Sequence, residues 1–285
     1  MSSDSLSNQT ASPAESGVTP NGADTDTPAE STPAEGERQT PIFYKQPEPL
    51  DARRHGALGL NNSDQYAFAG GANAIPIHVG EFALIARDYP IVFVGGDTPM
   101  PVAIVGIRQN ENLFVEGNGG WAPGRYIPAY VRRYPFLFLR HEEQNQLILC
   151  FDRASERVAE GAENPLFDGE TPSEFTKNAL EFATGVQKQF SATERFAALL
   201  KGHDLLTTQQ RSFTLYTGER RALTDFQVVD EAKFNALDDE AFAEMRRTGA
   251  IGAVYCHLVS LNSWVSLVHR ANQLLNEEER ARTSG

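Results

Sequence analysis

The first 40 residues hold no aromatic side chain, whereas from Phe43 onward apolar positions fall into periodic patterns that predict discrete elements. Residues 43–74 look irregular, broken by Pro47, Pro49 and the Gly70-Gly71 pair. Phe82, Ile85 and Ala86 share one face of a short helix predicted over 78–88, which Pro90 stops before a buried strand at 91–94. Segments 102–108 and 113–116 predict a hairpin around Asn110-Glu111-Asn112. Segments 136–140 and 146–152 predict a second strand pair, joined by the polar run 141–145.

Helix punctuation dominates the second half. Thr171-Pro172-Ser173-Glu174 supplies a cap, a proline for the first helical position and a capping-box glutamate. Phe175, Ala179, Phe182, Val186 and Phe190 then follow at helical spacing as one buried face. Ser191 and Glu194 open a further short helix carrying Phe196, Leu199 and Leu200, with Gly202 as its stop. Strands are predicted at 211–217 and 223–229 around Gly218. Asp238 caps a helix through Arg247, with Leu237 stapled onto Phe242 and Gly249 ending it. Segment 251–259 predicts the last strand, and Trp264, Leu267, Val268, Ala271, Leu274 and Leu275 mark a final helix. The sum is an α+β fold. Its N-terminal half is mainly β, built of antiparallel hairpins, with helices packed from the C-terminal half.

Composition changes this picture at the ends. Residues 1–40 hold seven acids and one base and are rich in Ser, Thr, Pro and Ala. Such a segment cannot bury enough apolar surface to offset its ordering entropy, so a disordered leader is expected over 1–41. A single domain then spans 42–275, and 276–285 is a polar tail. The charge-free stretch 251–268 falls short of a spanning helix and contains His257 and Asn262, so no transmembrane span is expected. A net charge of −13 and a pI of 4.9 argue against nucleic acid, whose phosphates need a basic face. Cys150 and Cys256 lie in apolar runs without C-x-x-C spacing and read as structural thiols, with a disulfide between them as the alternative.

Against that acidic background, residues 117–141 contain no acid at all. Arginines at 125, 132, 133 and 140 alternate there with Trp121, Tyr126, Tyr130, Tyr134, Phe136 and Phe138. Guanidinium and aromatic groups together suit planar or anionic partners. Trp121, Arg125, Tyr126, Tyr130, Arg132 and Arg133 are therefore the candidate binding residues. The spacing of Tyr126, Tyr130 and Tyr134 equally suits the core-facing side of a short helix. In that reading the arginines are solvated flanks or partners of acids elsewhere.

Other chemistry is sparse. His141-Glu142-Glu143 lacks the second histidine of H-E-x-x-H, and 117–120 lacks the ending of a phosphate loop. No G-x-S-x-G elbow occurs. His78, Glu81 and Asp152 are the one weak acid–base set. No metal or cofactor is expected, and the reading leans away from an enzyme.

The island also carries a family resemblance. G-x-W at 119–121 followed by Y-I-P-A-Y-V-R-R-Y-P-F at 126–136 resembles the signature region of the SapC family. Supporting matches are I-P-I-H-V-G-E-F-A (75–83), Y-P-I-V-F (89–93), A-I-V-G-I (103–107) and N-L-F-V-E-G (112–117). Phe151-Asp152, L-F-D-G-E-T-P-S (166–173) and Y-C-H-L-V-S-L (255–261) follow in order, so the resemblance runs from about Tyr44 to about Leu275. It implies a bacterial, surface-layer or envelope associated protein and no assigned catalytic residues. The implied partner is a protein, an envelope polymer or a small anionic or aromatic ligand. An alternative implication is an enzyme or accessory subunit of a halogenase-associated system that modifies a peptide or small metabolite. The N-terminus lacks the basic start and apolar core of a secretory signal, so a cytoplasmic protein is expected. The alternative is a surface destination by an unconventional route.

Overall fold

A computed structural model describes residues 41–141 and 146–284. The leader expected over 1–41 lies, but for Pro41, outside the described residues, as does most of the 141–145 connection. The strands are β1 (Pro47–Pro49), β2 (Leu58–Leu60), β3 (Ala74–Pro76), β4 (Ile91–Val94), β5 (Met100–Ile104), β6 (Phe136–His141) and β7 (Gln146–Asp152). They continue as β8 (Val158–Glu160), β9 (Asn164–Pro165), β10 (Phe167–Asp168), β11 (Thr171–Pro172), β12 (Leu206–Thr214) and β13 (Arg220–Val229). Helices are α1 (Ala52–His55), α2 (Phe82–Ile85), α3 (Ala129–Arg132), α4 (Glu174–Gly202), α5 (Glu231–Asn235), α6 (Asp239–Thr248), α7 (Ala250–Ser260) and α8 (Ser263–Ser284). The α+β reading holds, with a strand-rich N-terminal half and a helix-rich C-terminal half.

The main sheet has the order β12-β13-β4-β5-β3, and its ladders are all antiparallel. Two three-stranded sheets, β1-β7-β6 and β8-β2-β9, stand beside it. The largest apolar cluster joins Ile91, Val92 and Phe93 of β4 with Phe82, Ile85, Phe196, Val254, Trp264 and Leu267 from the helices. A smaller one gathers Leu58, Leu60, Phe136, Phe151, Leu166 and Phe167 under the N-terminus of α4.

Segment 43–74, expected to be irregular, carries β1, α1 and β2, and four of the expected elements also differ. The helix expected over 78–88 becomes a single 3-10 turn, Val79–Glu81, running into the one-turn α2, although Phe82, Ile85 and Ala86 are buried as expected. The hairpin expected between 102–108 and 113–116 does not form, because β5 pairs with β3 and β4 and the chain then leaves the sheet. At Gly106 a Cβ would stand 1.9 Å from the Glu111 carbonyl oxygen, so a loop closes back on the backbone there and only glycine fits.

Third, the two helices expected over 174–202 are one. Ser173, not Thr171, is the N-cap, receiving the Thr176 N–H at 3.2 Å, while Thr171–Pro172 pairs with β10. No break occurs at Ser191, since Thr193 bonds back to the Gln189 carbonyl at 2.7 Å and also accepts the Val79 N–H at 2.8 Å. Fourth, 251–259 is the helix α7. Its buried residues Ala250, Val254, His257 and Ser260 recur at helical spacing, and Gly249 at φ 76° ends α6 and starts α7 in one step. A short apolar run fits either period, so tertiary packing decides. The final helix carries the expected buried face and continues through the exposed segment 276–284. By length and composition the helical run Ala250–Thr283 could cross a membrane; in the fold it sets Val254, His257, Trp264 and Leu267 against the sheet.

Candidate functional site

The acid-free island folds around three buried carboxylates supplied by sequence outside it. Glu81, Asp88 and Asp152 are 2%, 3% and 0% exposed. A buried carboxylate is tolerated only when donors surround it, and here half of the donors come from the island. Glu81 accepts the Tyr126 hydroxyl at 3.0 Å and the Ala129 N–H at 2.9 Å, with the His78 N–H at 3.1 Å on its other oxygen. Asp88 pairs with Arg125 and Arg87, each at 3.1 Å, and accepts the Tyr126 N–H at 2.9 Å. Asp152 accepts the Tyr134 hydroxyl at 2.9 Å together with the N–H groups of Lys45, Gln46 and Ala154. Arg125 is thus compensated by Asp88, while the other donors seat the segment on the fold.

The aromatic half of the island is largely core. Trp121 donates its indole N–H to the Tyr89 hydroxyl at 3.0 Å, and that hydroxyl donates to the Tyr126 carbonyl at 2.6 Å. Tyr134 stacks on Phe68 with ring centroids 4.0 Å apart. Burial, with Asp152 adding to it, pushes the Tyr134 phenol up to about 12, so it remains a donor at neutral pH. Burial also raises Tyr89 and Tyr44.

These contacts place the six candidate residues differently. Trp121 and Tyr130 are buried in the core, which restricts a partner's access to them, while Arg125 is exposed but already engaged with Asp88. The three tyrosines do not share one helix face either: α3 is only four residues long, and Tyr126 precedes it. Tyr126 and Arg133 are half-buried, and Arg132 is exposed.

Arg132 and Arg133 open onto a groove of about 210 Å³ between α4 and the turn from α3 into β6. Arg157 and Asn178 line it with them, Phe136, Phe175 and Phe182 give it aromatic walls, and no acid lines it. Arg132 is held by the Ile127 carbonyl and the Tyr126 hydroxyl, both at 3.0 Å, with its guanidinium 5.3 Å from the Phe182 ring centre. Arg133 lies 4.0 Å over the Tyr130 ring, and its buried Nε has no hydrogen-bond partner among the described residues. Arg157 donates to the Asn61 carbonyl at 3.1 Å, and burial lowers its pKa. Among the described residues none of these three arginines has a carboxylate within ion-pair distance. Three uncompensated cations around one concavity favour an anion there, and stacking holds their planes ready for it.

The weak acid–base set does not assemble. His78 Nε2 is 3.8 Å from Glu81, and burial lowers its pKa, while Asp152 has a separate set of donors. Among the described residues no three His, Cys, Asp or Glu side chains converge as a metal site. Cys150 and Cys256 are free, and burial raises the Cys150 thiol.

The model of one family, SapC, matches residues 50–267. The chain belongs to the SapC family. Searches of curated proteins and of solved structures return no match. The SapC match contains Glu81, Asp88 and Asp152, the whole island, and Arg157, Asn178 and Phe182. Sequence reasoning missed Asp88, Arg157 and Asn178. Asp88 stands directly before the quoted Y-P-I-V-F block, but nothing in its neighbours marks it as buried. Arg157 sits in a polar turn with no pattern around it. Phe182 was assigned to a buried face; it is 37% exposed because it turns toward Arg132.

Proposed function

We propose that this SapC-family chain is a non-enzymatic binding or assembly protein that holds an anionic partner in the groove of Arg132, Arg133 and Arg157. The partner is a carboxylate-rich chain, either a protein segment or an envelope polymer, which agrees with the surface-layer association the family name suggests. The observation that carries this reading is the trio of arginines around one groove without carboxylate partners among the described residues, in contrast to Arg125, which Asp88 pairs. Aromatic walls fit the apolar stem of an acidic side chain while the guanidiniums take its head.

Titration calorimetry with polyglutamate tests the proposal. The native protein should bind saturably and more weakly at higher salt, as expected for charge-assisted contacts. Replacing Arg132 and Arg133 together by Ala should weaken binding at least tenfold, with circular dichroism unchanged. Binding unaltered in that folded variant would remove the proposal.

A further inference from the structure

A cavity of about 670 Å³ lies away from the arginine groove, beside the outer strand β12. Thr207, Gln209 and Arg211 of β12 line it together with Phe226 and Val228 of β13 and Trp264 of α8. β12 is the edge of the main sheet, and among the described residues it pairs with β13 alone. Native sheets guard such edges with proline, multiple charges or a bulge in the edge strand. β12 has none of these. It runs for nine residues with one charge and no proline, and all residues from Thr208 to Ser212 are exposed. The register shift near Gln209 places the extra residue on β13, where Asp225 takes φ 61°, so the edge strand itself stays regular.

The hydrogen-bond parity of this edge follows from its two ends. Asp230 donates its N–H to the Leu205 carbonyl at 2.8 Å, and Leu215 donates to the Glu219 carbonyl at 2.9 Å. Counting inward from either end, odd-numbered β12 residues bond to β13. Thr208, Gln210 and Ser212 therefore turn both N–H and C=O toward the open edge. The side chains of the odd-numbered residues face Trp264: the Phe213 ring is 5.5 Å from it and the Arg211 guanidinium 5.7 Å. A strand laid along this edge would find backbone partners every second residue and would drop alternate side chains over the cavity.

Charge selects the occupant. Arg211 has no carboxylate within ion-pair distance among the described residues, while Asp230 and Glu231 line the far end of the cavity. Arg211 and Thr207 are separated by about 13 Å along the strand, four residues of extended chain. A second copy of this chain is disfavoured as occupant, since each copy carries a net charge of −13. We propose that the β12 edge and its cavity form a strand-addition site for an extended peptide of another protein, with an acidic side chain at Arg211 and a basic one about four residues away.

The test uses an alternating Thr/Val peptide of about eight residues bearing Glu and Lys four positions apart, in both orders, read by fluorescence anisotropy against the full chain. One order should bind at least tenfold more tightly than the peptide with Ser at both positions. Thr208→Pro and Ser212→Pro each remove an outward N–H that β13 does not use, so the sheet should survive and binding should fall at least tenfold. Arg211→Glu should invert the preference, favouring Lys in place of Glu. The proposal is overturned if neither order binds, if both folded proline variants bind as the native protein does, or if sizing chromatography shows a dimer that the proline variants dissociate.

Discussion

Asp152 shows at the residue scale how an island without acids can fold in an acidic protein. It ends β7 with no exposed surface and gathers four donors, three of them backbone N–H groups. Removing the acceptor leaves the buried Tyr134 hydroxyl and three part-buried N–H groups without it, each at some desolvation cost, and detaches Tyr134 from its place on Phe68. Asp152→Ala should therefore lower the unfolding free energy by about 3 kcal/mol, measured by urea denaturation. Arg125→Ala should cost less, because Asp88 keeps Arg87 and the Tyr126 N–H as donors. At this scale the sequence was legible in its chemistry and silent on its partners. The contrast between island and background is plain in the residue string, and so is the option that acids elsewhere compensate it. Which acids those are depends on a fold that brings residues 81, 88 and 152 around residues 125–134.

At the element scale α7 is the informative case. His257 lies on its buried face, and its Nε2 accepts the Val229 N–H at 3.0 Å, joining helix to sheet. Burial lowers the His257 pKa from 6.5 to about 4, so folding holds the ring neutral. Because the unfolded chain takes up the proton first, this contribution is complete above pH 6.5 and is lost as pH falls toward 4. The difference corresponds to about 3 kcal/mol. Urea midpoints should fall between pH 6.5 and 4, and His257→Gln should flatten that part of the profile. An equally steep profile in the variant would show that another group is responsible. The same helix explains why one element type was misread. Residues 251–259 are apolar but for His257, so alternation and helical periodicity both fit, and the left-handed Gly249 that launches the helix reads in sequence only as a stop. α4 failed in the opposite way, with Ser191 taken as a break that Thr193 makes unnecessary by bonding back into its own helix.

On the scale of the whole molecule, the fold separates two cationic features in a chain of net charge −13. One is the arginine groove framed by α3, α4 and Arg157; the other is Arg211 at the sheet edge. The groove was half legible: Arg132 and Arg133 stand out as a doublet, while Arg157 joins them only through folding. Trp121, Tyr130 and Arg125 looked alike in sequence and serve instead to seat the segment. Bulky aromatics at interface and core share the same composition, so burial alone tells them apart.

The central claim is this division of labour between structural and available arginines. Arginine Nε–Hε resonances, followed by NMR during a polyglutamate titration, test it most directly. Shifts at Arg132, Arg133 and Arg157 with Arg125 unmoved are the predicted result. Unmoved resonances throughout, or an Arg125 that shifts as far as the other three, would contradict the account.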